Sequence, residues 1–107
     1  MNVITNNNIK CTIALASLQH VTDPEIGLNV VDLGLIYQLD LDEDARKIYA
    51  QMTLTTQFCP MGESIVDGVR NALQTTFIDD EVNVILTFDP AWNAERISEE
   101  GKIFLNQ

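Results

Sequence analysis

The sequence predicts a two-layer α+β domain with elements in the order α-β-β-α-β, on three observations. Apolar residues recur at helical spacing in two segments, they alternate with the period of a strand in three others, and each strand pattern is apolar mainly on one face. Such strands form a small mixed three-stranded sheet with the helices packed on that one face. With 107 residues, 46% of them hydrophobic, the chain suits one core and one domain over 1–107. There is no internal repeat, low-complexity tract or interdomain linker.

The first seven residues are polar and asparagine-rich, and read as a flexible N-terminus. Cys11, Ala14, Leu15 and Leu18 then follow at i, i+3, i+4 and i+7, which predicts a helix over 8–20. Pro24 and Gly27, within Thr22-Asp23-Pro24-Glu25-Ile26-Gly27, end that helix and open a loop that runs through Gly34. Leu35, Tyr37, Leu39 and Leu41 alternate with Ile36, Gln38 and Asp40, giving a first strand over 35–41 with the former set buried. After a turn at 42–46, Ile48, Ala50, Met52 and Leu54 form the apolar face of a second strand, antiparallel to the first. Met61, Ile65, Val69 and Leu73 trace a second helix that starts with Pro60 as its first residue and runs to 76. Val82, Val84, Leu86 and Phe88 mark a third strand, parallel to the second because a helix separates them. Asp89-Pro90-Ala91-Trp92 reads as a turn, and 93–104 as a short helix broken or ended by Gly101.

Charge excludes several classes of partner. Sixteen acidic residues against six basic ones give a net charge of -10 and a pI near 4.1. Such a field repels phosphate backbones and anionic lipid, which sets aside nucleic acid and membrane surfaces. No apolar run approaches the ~18 residues of a membrane span, and the N-terminus lacks the pattern of a signal peptide. A cytoplasmic location follows, where Cys11 and Cys59 are thiols rather than a bridge. A chain of this length buries about two thirds of its unfolded surface and needs no disulfide or structural metal to fold.

Cys59 is the strongest local signal. Placed as the cap before Pro60, its sulfur would meet the unpaired N–H groups and positive dipole end of the second helix, which favour a thiolate able to ligate iron or accept sulfur. Glu63 in the first turn works against that thiolate, and a buried cysteine serving as a small apolar cap is the bland alternative. Cys11 lies on the apolar stripe of the first helix and reads as core, and His20 as a surface residue at its C-terminal end. Asp23, Glu25 and Asp32 bracket the long loop, where carboxylates serve acid-base or metal chemistry, or turn and capping chemistry. Trp92 is either a lid on the core or a partner anchor. There is no phosphate-binding glycine loop, no H-E-x-x-H and no C-x-x-C pair, and no third group orients a Cys59–His20 hydrolase.

Three segments together resemble one family. They are Asp23-Pro24-Glu25-Ile26-Gly27 followed by Val30-Val31-Asp32-Leu33-Gly34-Leu35-Ile36-Tyr37; then Met52-Thr53-Leu54-Thr55-Thr56 with Cys59-Pro60-Met61-Gly62; then Phe88-Asp89-Pro90-Ala91-Trp92. In order and spacing they are similar to the metal-sulfur cluster biosynthesis family, the SufT/PaaD-like iron-sulfur assembly domain. The sequence departs from the family pattern at Gln57-Phe58, where proline and a small residue are common, and at Ala91, where a second proline is common. The absence of further cysteines before Gln107 favours the stand-alone SufT-like branch over the subunits of phenylacetate ring-oxidation systems.

The resemblance implies an accessory factor in iron-sulfur maturation, a carrier or adaptor rather than an enzyme. Cys59, in the T-x-x-C-P segment that begins at Thr56, is implied to touch cluster, iron or a partner's thiol, with Asp23 and Glu25 as the neighbouring acidic positions. An iron-sulfur cluster or iron would be held transiently and shared, since one chain has too few ligands for a four-cysteine cluster. The partners implied are a scaffold or client apoprotein, or a second copy in a homodimer. The competing readings are a non-catalytic interaction module built around Trp92, a subunit of a phenylacetate-type ring-oxidation system, and an enzyme using Cys59 with Asp23 or Glu25 as base.

Overall fold

The computed structural model describes residues 3–57 and 60–106. In chain order these form β1 (Ile4–Thr5), α1 (Asn8–Leu18), β2 (Ile36–Asp42), β3 (Lys47–Met52), α2 (Gly62–Thr76), β4 (Glu81–Leu86), a 3-10 turn at Ala94–Arg96 and α3 (Glu99–Leu105). The sheet order is β1-β2-β3-β4, with β1 parallel to β2, β2 antiparallel to β3, and β3 parallel to β4. The α+β architecture is as expected, but the sheet has four strands rather than three. The additional strand comes from the asparagine-rich start, where Ile4 and Thr5 pair with Gln38 and Leu39. Asn6 fixes it by exchanging side-chain hydrogen bonds with the main chain of Leu41. A pairing of two residues has no period by which a sequence could declare it.

Each helix starts where chemistry allows. The Asn7 side chain accepts from Lys10 N–H and caps α1, whose buried residues are Cys11, Ala14, Leu15 and Leu18, the expected stripe. α2 buries Ile65, Val69 and Leu73 on the same core. The two helices are tied by Thr76 Oγ1 donating to Ser17 Oγ and Ser17 Oγ donating to the Ala72 carbonyl. Two boundaries differ from expectation. α1 stops at Leu18, leaving His20 exposed in the turn beyond it. α2 begins at Gly62 with Met61 as its cap, because its first helical bond runs from Ile65 N–H to the Met61 carbonyl. Pro60 therefore sits in the preceding turn rather than at the first helical position, and the cap is Met61.

The expected alternation in β2 is interrupted. Ile36 pairs with Met52 and Gln38 with Gln51, so Tyr37 is an extra residue and the register shifts there. The bulge lets Ile36 join Leu39 in the core cluster, while Tyr37 is buried outside that cluster. Ile36, expected on the outer face, is thus a core residue. At the other end of the chain Gly101 neither breaks nor ends a helix: it is the buried third residue of α3, which Ser98 caps by accepting the Gly101 N–H. A Cβ at Gly101 would come within 2.8 Å of Ile97 and 3.0 Å of Leu28, so the glycine is there for close approach.

Candidate functional site

The acidic turn is built around a carboxylate that faces inward. Thr22 bridges to Asn29, and Asp23 N–H donates to the Leu28 carbonyl, closing a tight loop. The Asp23 carbonyl accepts from Ile26 at 3.2 Å and Gly27 at 2.7 Å, and Gly27 completes the turn at φ +83°. Asp23 Oδ1 accepts the Glu25 N–H at 2.9 Å, an Asx-type turn, and the side chain is only 2% exposed. Glu25 faces solvent. Val21, just ahead of the turn, packs on α2, where a Cβ at Gly68 would meet Val21 Cγ1 at 3.0 Å.

A second segment carries the remaining candidates. Thr53 extends the β3 pairing by donating its N–H to the Leu35 carbonyl at 2.9 Å, and Thr53 and Leu54 are buried. The chain then emerges, so Thr56 and Gln57 are exposed, as are Pro60 and Met61 ahead of α2. Phe58 and Cys59 lie outside the described residues. The structure thus places Asp23 and Glu25 together in one turn and Thr56 at the exposed end of the β3 extension. Cys11, the other thiol, is buried in the core as expected.

A strap formed by residues 90–98 holds the loop that follows the acidic turn. Trp92 Nε1 donates to the Leu33 carbonyl at 2.6 Å, with its ring packed against the core, so this tryptophan is a lid. Asp32 receives Ser98 Oγ at 2.8 Å on one carboxylate oxygen and Asn29 Nδ2 at 2.7 Å on the other, and its carbonyl accepts Ser98 N–H. The bulged Tyr37 donates its hydroxyl to the Pro90 carbonyl, and Arg96 stacks 4.2 Å from the ring centroid. Gly34, at φ +76°, is pressed against the Arg96 backbone. Asp32 is therefore a fastening for the strap, the turn-chemistry reading of its sequence position.

Two clefts flank these segments. The first has a volume of about 540 Å³, with Leu54, Val66, Leu86 and Phe88 as its apolar lining. Glu63, Asp67 and Arg70 of α2 supply its charges, and Gln57 and Gly62 border it on either side of the Phe58–Cys59 step. The second, of about 560 Å³, runs between the strap and Val3, Val31 and Ile36. Spacing on α2 makes the Glu63, Asp67 and Arg70 row legible in sequence, but nothing there says that Leu86 and Phe88 of a later segment stand opposite it. Among the described residues no three histidine, cysteine or acidic side chains converge as a metal site.

The family described as iron-sulfur cluster assembly protein matches residues 13–87. The chain is 37% identical over 91 residues to the Fe-S protein maturation auxiliary factor YitW of Bacillus subtilis (strain 168), covering 85% of this chain and 88% of that protein. It is 38% identical over 87 residues to the Fe-S protein maturation auxiliary factor SufT of Staphylococcus aureus (strain USA300), covering 79% of this chain and 96% of that one. Its fold is similar to the crystal structure of a domain of unknown function, DUF59, from Bacillus anthracis. That match has a TM-score of 0.83 and 36% identity, over 89% of this chain and 90% of the other.

Proposed function

This chain belongs to the iron-sulfur cluster assembly protein family, and from that premise we propose that it is an accessory factor in the maturation of iron-sulfur proteins. It works as a carrier or adaptor rather than as an enzyme, with the cluster or iron as its cargo. The observation that carries the reading is the extent of the likeness: the family match runs from residue 13 to residue 87, and so takes in the acidic turn, Thr56 and Cys59 in one continuous stretch.

Cys59 supplies one thiolate to the cargo, and the other ligands come from a scaffold, a client apoprotein, a second copy of the chain or a small thiol. Thr56 borders that site. Asp23 shapes the turn from inside, while Glu25 offers the solvent-facing carboxylate. The exposure of Thr56 and Gln57 before Cys59, and of Pro60 and Met61 after it in the chain, supports this assignment, since a transient ligand must be reached from outside. The work is done in the cytoplasm, where thiols stay reduced; no helix among the described residues is long and apolar enough to cross a membrane.

Removal of the protein from its cells tests the reading. Iron and acid-labile sulfide per molecule of a purified iron-sulfur enzyme are expected to fall while the amount of its polypeptide is unchanged. Unaltered cluster occupancy across several such enzymes would overturn it.

A further inference from the structure

We propose that the open edge of β4 and the first cleft together form a docking site for an extended, basic segment of a partner protein. This deepens the reading above by naming the chemistry of the scaffold or client, and rests on it only for the partner's identity.

The edge comes first. β4 has β3 on one side and no strand on the other among the described residues. Glu81 and Thr87 donate their N–H groups toward β3, to Arg46 and Met52. Alternate residues of a strand aim their main-chain groups to the same side, so Val82, Val84 and Leu86 turn theirs outward. The strand reads Glu-Val-Asn-Val-Ile-Leu, and has none of the lysines, prolines or bulges that blunt an edge. Ile85 and Leu86 are 50% and 43% exposed. Such an edge is open to pairing with an added strand.

The cleft supplies selectivity. Leu86 stands opposite Met52, on the face of the sheet that α2 covers, and lines the cleft with Val66 and Phe88. A strand laid beside β4 would direct alternate side chains to that same face, so one apolar side chain enters the cleft. Glu63 has no ion pair or hydrogen bond among the described residues, whereas Asp67 is held by Arg70 at 2.6 Å. The free carboxylate at the rim and the net charge of -10 select a lysine or arginine next to the apolar anchor. The same charge opposes a second copy as the occupant, because two such edges would bring like-charged surfaces together.

The test is a random peptide display library selected on the full chain, reduced and free of iron, followed by synthesis of the enriched peptides. The expected peptides carry an apolar residue flanked by lysine or arginine. Their affinity should fall by about fivefold in Glu63→Lys. Binding should be lost when alternate peptide nitrogens are methylated, and should slow amide exchange at Val82, Val84 and Leu86. Absence of enrichment, acidic consensus peptides, equal binding to Glu63→Lys, tolerance of N-methylation, or β4 amides already protected by self-association would each overturn the proposal. None of these readouts involves cluster chemistry, so their failure leaves the maturation role standing, and failure of that role leaves the peptide result standing.

Discussion

Gly27 and Gly34 both adopt left-handed backbone, at φ +83° and +76°, yet they make different demands. No atom lies within 4 Å of a Cβ built on Gly27, whereas one on Gly34 would collide with the main chain of Arg96. Gly27→Ala should therefore cost only the conformational strain, about 1 to 2 kcal/mol. Gly34→Ala should cost that and about 1 to 3 kcal/mol of overpacking besides, so urea midpoints rank the two. Asp23→Ala removes the acceptor for Glu25 N–H inside a buried turn, at a cost of about 1 to 3 kcal/mol. Asp23→Asn keeps an acceptor oxygen and should lose less in the same measurement. At this scale the sequence is candid about turn chemistry, since Asp-Pro-x-x-Gly announces itself. It cannot announce that Asp23 points inward while Glu25 points out, because that depends on what packs over the turn.

Among the elements, α1, α2 and the three longer strands are legible because their apolar residues keep a period over several turns or pairs. The failures come where the period is broken or too short. The Tyr37 bulge exchanges the faces of Ile36 and Tyr37, and β1 is two residues long. Pro60 looks like a first helical residue, but Met61 is the cap and the first helical residue is Gly62, two positions later. The strap is the least legible element, since its hold on the 29–37 loop comes from contacts between segments some sixty residues apart, such as Trp92 with Leu33 and Ser98 with Asp32. Trp92→Phe leaves the Leu33 carbonyl without its indole donor and should destabilise the protein by about 1 to 3 kcal/mol. Hydrogen exchange should show where the loss falls, with the amides of Arg96, Ile97 and Ser98 exposed before those of β3. Equal acceleration across the sheet would mean that the strap does not open separately.

For the whole molecule, sixteen acidic residues against six basic ones make self-repulsion a standing cost of the compact state. The described ion pairs, Lys10–Glu43, Lys47–Glu81 and Arg70–Asp67, are solvent-exposed and offset little of it. Raising NaCl from about 20 mM to about 200 mM should thus raise the urea midpoint, because the screening length shortens to below about 10 Å. A fall would mean that the surface pairs outweigh the net charge. The family and its core were legible from three motifs in order, whereas the first cleft was not, being assembled from residues 54 to 88. The central claim remains that Cys59 is the working thiol, and it is tested most directly by returning Cys59→Ser and Cys11→Ser chains to cells that lack the protein. Iron and sulfide bound to a client enzyme should be restored by Cys11→Ser, provided its core substitution leaves the chain folded by circular dichroism, and should stay low with Cys59→Ser. Full restoration by Cys59→Ser would contradict the account and leave the protein as an adaptor whose docking surface, not its thiol, does the work.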